Sequence, residues 1–136
     1  MRRRTFVAST LAAAMAAPAF AANGQSYRQG LVEEELAAGR TVFLDFYTDW
    51  CTTCRAQGKA IRGLMDENPA YEANVSFIKI DWDQHAQSSI ATRLNIPRRS
   101  TLVVLKGDKE LGRIVAGTRK ADIKALMDTA LAAASA

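Results

Sequence analysis

Two cysteines, and only two, occur in the 136 residues, and they stand three apart in Trp50-Cys51-Thr52-Thr53-Cys54. A pair at that spacing can cycle between dithiol and disulfide if one sulfur is a good nucleophile and the other lies about one helical turn away. The stretch from about Cys51 to Asp66 offers that arrangement. Ala56, Ala60, Ile61, Leu64 and Met65 recur at helical spacing, and Asn68-Pro69 ends the run. At the helix start Cys51 would face backbone N–H groups that lack intrahelical partners and the positive end of the helix dipole, both of which favour a thiolate. Cys54, further in, is expected to be less exposed and to displace a substrate held on Cys51.

Other chemistries are open to the same pair. A purely structural disulfide would close a four-residue loop, which constrains the unfolded chain by only about 2 kcal/mol against roughly 3 for a fifteen-residue loop. Structural zinc needs four ligands, and the chain has two cysteines and the single His85, which fits a loop or helix start equally well. Two thiolates could instead hold a soft metal such as copper(I), making the chain a non-enzymatic binding module. The redox reading requires no bound cofactor, because the electrons reside in the sulfurs.

The elements that must position the pair alternate between helix and strand. Gln29–Ala38 reads as a first helix, with Leu31, Val32, Glu35 and Leu36 near one face and Gly39 as its stop. Thr41–Tyr47 (TVFLDFY) is a nearly continuous apolar run of the kind found in strands covered on both faces. After the cysteine helix come a strand at Val75–Trp82 and a short helix at Ala86–Leu94 with Ile90 and Leu94 inward. Thr101–Leu105 and Glu110–Val115 flank Lys106-Gly107-Asp108-Lys109 as a hairpin. A last helix from about Thr118 carries Ile123, Leu126, Met127, Ala130 and Leu131 on one stripe. The order α-β-α-β-α-β-β-α predicts an α/β fold with a mixed central sheet of about four strands between helices.

The N-terminus reads as an export signal and not as part of that domain. Three arginines in Met1–Arg4 precede an apolar run from Phe6 to Phe20, and Ala19-Phe20-Ala21 fits a cleavage site before Ala22. The run is shorter than the ~20 residues a membrane span needs, so no membrane insertion is expected after cleavage. Arg3-Arg4-Thr5-Phe6-Val7 is also similar to a twin-arginine signal, although an ordinary basic leader has the same look. The domains are therefore expected to be a signal at 1–21 and one folded unit at 22–136, with the mature protein in the periplasm. Losing Arg2, Arg3 and Arg4 takes Lys+Arg from 18 to 15 against 14 acidic residues. The apparent charge of +4 becomes +1, which leaves no electrostatic footprint for nucleic acid.

The segment Phe43-Leu44-Asp45-Phe46-Tyr47-Thr48-Asp49-Trp50-Cys51-Thr52-Thr53-Cys54-Arg55 resembles the active-site strand and turn of the thioredoxin superfamily, with its Trp-Cys-x-x-Cys-[Lys/Arg]. The similarity runs from about Gln29 to Leu131. Asp-Trp-Cys-x-x-Cys looks closer to exported members, including the C-terminal domain of the DsbD-type membrane reductases. The resemblance implies a thioredoxin fold and an oxidoreductase acting on protein disulfides or dithiols, fed by a membrane electron donor of the DsbD or CcdA type. Asp45, six residues before Cys51, matches the family's buried acid, which assists proton transfer from the second cysteine. Independently of the family, a carboxyl inside an apolar strand should have a raised pKa and be able to exchange a proton. Lys79 matches the lysine near that acid, and Trp50 the tryptophan beside the active-site turn.

The chain departs from the family at the loop facing the cysteines. Relatives carry a cis-proline just before the strand, and counting back from Thr101 puts Ser100 there, with Pro97 three residues earlier. Either Pro97 serves in an altered loop or Ser100 replaces the proline, and a cis bond before serine would cost about 2.5–4 kcal/mol. In the family that proline also helps exclude metal from the sulfurs. The proline that kinks the second helix is missing too, with Lys59 nearest its place. Arg98, Arg99 and Ser100 occupy the segment that in relatives pairs with an extended substrate, so the two arginines are expected to favour acidic segments around a target disulfide.

Overall fold

The computed structural model describes residues 24–136. The expected signal segment Met1–Ala21 and its cleavage site lie outside the described residues. Among the described residues the strands are β1 (Gln25–Ser26), β2 (Thr41–Tyr47), β3 (Ser76–Asp81), β4 (Thr101–Lys106) and β5 (Lys109–Val115). The helices are α1 (Leu31–Ala37), α2 (Thr52–Glu67), α3 (Ala70–Asn74), α4 (Trp82–His85), α5 (Ser89–Arg93) and α6 (Lys120–Ala134). The sheet order is β1-β3-β2-β4-β5, with β1, β3 and β2 parallel and β4 and β5 antiparallel. A mixed central sheet flanked by helices is thus present, with five strands because the two-residue β1 adds an edge beside β3.

β2 lies between β3 and β4, and its first six residues are all buried. Its alternate side chains therefore enter two separate cores. Phe43 joins Leu64, Tyr71, Leu102 and Met127 on the face covered by α2, α3 and α6. Leu44 and Phe46 join Val32, Ile78, Ile90 and Val103 on the opposite face. This double covering explains why the strand reads as a continuous apolar run and makes it a rigid support for whatever follows it.

The expected helix at Ala86–Leu94 is the shorter α5, and a separate short helix, α4, precedes it and takes Trp82 from the end of the expected strand. Asp81 caps α4, its Oδ1 accepting from the Asp83 N–H at 2.9 Å, and Ser88 caps α5, its Oγ accepting from the Ala91 N–H at 3.3 Å. Two local caps seven residues apart divide the segment. His85 ends α4 half-buried, its ring edge-on to Tyr27 at 4.9 Å. Within α2, Ile61, Leu64 and Met65 are buried and Ala60 packs beside them, but Ala56 faces solvent and Gln57 is buried in its stead.

Candidate active site

Three elements converge on the cysteines: the C-terminal end of β2, the first turn of α2, and the loop leading into β4. Cys51 is the N-cap of α2 with extended backbone (φ −88°, ψ 116°), and its Sγ accepts from the Cys54 N–H at 3.2 Å. Sulfur takes the place that a Ser or Asp oxygen usually holds at a helix start. Arg55 fixes the preceding turn by donating from Nε and Nη2 to the Asp49 carbonyl at 3.2 and 2.9 Å. Both thiols are free and both residues are nearly covered, Cys51 at 3% and Cys54 at 6% exposure. Cys54 is therefore not the less exposed of the two, as its position inside the helix had suggested.

Ser100 lies against both sulfurs. Its Oγ is 3.2 Å from Cys51 Sγ and 3.0 Å from Cys54 Sγ, and the residue is fully buried. There is no cis peptide bond among the described residues, so neither Pro97 nor Ser100 is cis. Ser100 takes the place before β4 with a trans bond and a left-handed backbone, φ 64°, while Pro97 is exposed three residues away. A non-glycine residue persists in that conformation only when its surroundings hold it. Here the Ser100 N–H donates to the Phe46 carbonyl at 2.7 Å, and its own carbonyl accepts from the Ala116 N–H and Gln57 Nε2, each at 2.9 Å.

Gln57 is the residue that reading the sequence for chemistry passes over. Its Nε2 bonds the Ser100 and Gly117 carbonyls, tying α2 to the loops at both ends of the β4–β5 hairpin. The available signal is its spacing: three residues beyond Cys54 and four before Ile61 puts a polar side chain on the buried face of the helix.

Asp45 sits on β2 opposite Lys79 of β3 in the parallel register, 8% exposed, with Oδ1 lacking a hydrogen-bond partner. Burial raises its pKa from 3.8 to about 6, against the opposing pull of Lys79 and Arg62. The Lys79 ammonium also stands 4.2 Å from the centre of the Tyr47 ring. Asp45, Cys54, Lys79, Arg62 and Lys59 line one cleft of about 410 Å³, so the carboxyl and the second cysteine share a route to solvent. On the other side, Trp50 is 56% exposed, donates from Nε1 to Asp83 Oδ2 at 2.8 Å, and carries the Arg99 guanidinium 4.3 Å above its ring.

The two thiols are electrostatically unlike. Burial alone would raise Cys51. Hydrogen bonds from the Cys54 side chain, Ser100, the Cys54 N–H and Arg99 outweigh it and bring the thiol down to about 6. Cys54 is pushed up, first by burial and then by its hydrogen bond to Cys51. Such a pair holds one thiolate and one thiol near neutral pH, the state from which thiol–disulfide exchange starts.

The thioredoxin family model matches residues 21–129. The chain belongs to the thioredoxin family. It is 31% identical over 93 residues to thioredoxin-2 of Saccharomyces cerevisiae, covering 68% of this chain and 83% of the yeast protein. Chloroplastic thioredoxin F-type of Pisum sativum is 34% identical over 93 residues, again 68% of this chain, which spans about half (48%) of the pea protein's length. Among solved structures, Trxlp of Edwardsiella tarda superposes with a TM-score of 0.64 at 24% identity, covering 75% of this chain and 96% of that one. Fasciola hepatica thioredoxin gives 0.57 at 27% identity, covering 71% and 88%. The thioredoxin fold expected from the sequence is thus established, and with it the chain's place among thiol–disulfide oxidoreductases. Among the described residues, no helix is long and apolar enough to cross a membrane, and no group of three or more His, Cys, Asp or Glu is placed to hold a metal ion.

Proposed function

We propose that this chain is an exported reductase of protein disulfides, working in the periplasm and recharged by a membrane electron donor of the DsbD or CcdA type. The observation that carries the chemistry is the asymmetry of the pair: a Cys51 thiol lowered to about 6 beside a Cys54 thiol that is raised. The Cys51 thiolate attacks a target disulfide, forming a mixed disulfide and releasing the first target sulfur as thiolate. Cys54 then gives its proton to the Asp45 carboxylate and attacks Cys51 Sγ. The second target sulfur leaves, the target has gained two electrons, and Cys51 and Cys54 are joined.

Lys79 and Arg62 act through Asp45, keeping its carboxyl low enough to be ionised at neutral pH and so able to accept that proton. Exposed Trp50, with the half-buried Arg99 stacked on its ring, forms the rim on which a target would rest. Export is supported by the basic and apolar leader with its Ala19-Phe20-Ala21 site. The membrane donor is supported by the similarity of Asp-Trp-Cys-x-x-Cys to exported members of the family.

The reduction potential of the Cys51–Cys54 couple, measured on metal-free mature protein in glutathione or dithiothreitol buffers, tests the reading. A value near −270 mV, about that of thioredoxin, fits a reductant. One near −120 mV reverses the electron flow, as for a periplasmic oxidant. The absence of a reversible couple, with copper(I) retained in stoichiometric amount, replaces the reductase by a metal-binding module. Mass spectrometry of protein recovered from the periplasm should find Ala22 as the first residue.

A further inference from the structure

We propose that Ser100 is a catalytic residue whose hydroxyl serves the two sulfurs in turn, donating to the Cys51 thiolate before attack and to the Cys54 thiolate after it. The inference deepens the proposed reductase mechanism and rests on it. Ser100 is the one side chain outside the pair that bonds both sulfurs among the described residues, at 3.2 and 3.0 Å. Its backbone N–H and carbonyl are both taken, by Phe46, Ala116 and Gln57, which leaves only the hydroxyl to act. The residue is fully buried, so bulk water does not compete for that hydrogen.

A serine hydroxyl has one hydrogen and two lone pairs, which fixes the order of events. In the reduced protein the Ser100 O–H donates to the Cys51 thiolate, and the Cys54 S–H is shared between that thiolate and Ser100 Oγ. Attack on a target disulfide puts Cys51 Sγ into a neutral mixed disulfide and removes its claim on the hydrogen. The Cys54 proton passes to the Asp45 carboxylate, and the hydroxyl turns about Cβ–Oγ to donate to the new Cys54 thiolate. No heavy atom has to move, and a rotation no larger than that of a methyl group takes only ps–ns. The Arg99 guanidinium and the Cys54 N–H support Cys51, and the Thr48 backbone supports Cys54, but each acts on one sulfur. Asp45 faces Cys54 across the cleft and takes its proton without bonding Cys51. A serine that only filled space would do none of this, and alanine would replace it without loss.

The test is stopped-flow reaction of the reduced protein with 5,5′-dithiobis(2-nitrobenzoate). Attack by Cys51 releases one thionitrobenzoate, and displacement by Cys54 releases the second as the intramolecular disulfide forms. Ser100→Ala and Ser100→Gly both remove the hydroxyl, and glycine in addition tolerates φ 64°. In both variants each phase should slow about tenfold at roughly pH 5, the worth of one charge-assisted hydrogen bond, and the first phase should recover towards wild type near pH 9, where Cys51 ionises unaided. Circular dichroism melts confirm that the variant compared is folded. Wild-type rates in both phases at low pH overturn the proposal. A loss confined to one phase also overturns it, because the hydroxyl would then serve one sulfur only. If wild-type protein itself releases no second equivalent, it is the reductase reading that fails, whatever the variants do.

Discussion

Asp45→Asn is the substitution whose effect follows most directly from the burial of the site. Transfer of the carboxyl into the sheet raises its pKa from 3.8 to about 6, so the native state binds this proton more tightly than the unfolded chain does. The ionised carboxylate is therefore a burden on the fold. Stability linked to this group is fully present below about pH 4, is lost as pH rises through the interval to about 6, and stays lost above it. At about 1.4 kcal/mol per pH unit, the interval corresponds to about 3 kcal/mol. Asparagine is of similar shape and does not titrate, so the variant should gain that amount relative to the parent between pH 4 and about pH 7.

Urea unfolding followed by far-ultraviolet circular dichroism measures the difference. A Cys51→Ser, Cys54→Ser background removes the thiol titrations. With a denaturant slope of roughly 1–3 kcal/mol/M, the midpoints of the parent and of the Asp45→Asn variant should separate by about 1–3 M more at neutral pH than at pH 4. Any fixed cost of the amide shifts both ends equally and leaves the pH dependence intact. A midpoint difference that is the same at pH 4 and pH 7 refutes the reasoning, since it would mean that Asp45 titrates alike in folded and unfolded chains. In the protein with its cysteines, the same substitution should slow the second release from a mixed disulfide, because Cys54 loses its proton acceptor. Stability and turnover should move in opposite directions from one atom exchanged.

Three further outcomes are expected. Alkylation of Cys51 by iodoacetamide should follow a titration centred near pH 6, below the ordinary thiol range, and a midpoint above 8 would remove the basis for Cys51 as nucleophile. Lys79→Met takes away the largest charge opposing the burial of Asp45, so the pH profile of Cys54-dependent release should move upward, and an unchanged profile would assign Lys79 to packing on Tyr47 alone. Charge reversal of Arg98 and Arg99 to Glu should slow reduction of disulfides flanked by acidic residues more than of those flanked by basic ones, whereas equal rates would leave the two arginines without a part in selection.

What could be read from the sequence was what depends on near neighbours along the chain. The Cys51–Cys54 spacing, the strand at Thr41–Tyr47 and the stripe of the last helix are each set within one or two turns or strands, and they form as expected. Asp45 was legible for a related reason, because a carboxyl in a run of buried apolar residues signals its own desolvation. Ser100 and Gln57 belong to the other kind. Their importance arises from groups 46 and 49 residues away in one case and 43 and 60 in the other, and no local pattern encodes such contacts. Gln57 shows how the omission arises: an apolar count along α2 prefers Ala56, while the space at that point contains two carbonyls that only a donor can satisfy. Gln57→Leu would fill the space and leave both carbonyls without that donor, costing about 2 kcal/mol or more and loosening the left-handed backbone of Ser100. The oxygen that meets both sulfurs thus depends on a glutamine one turn beyond Cys54. Weakening Gln57 should therefore raise the Cys51 pKa without touching either cysteine, and a thiol titration of Gln57→Leu unchanged from wild type would show that the Ser100 hydroxyl is held in place by the Phe46 and Ala116 hydrogen bonds alone.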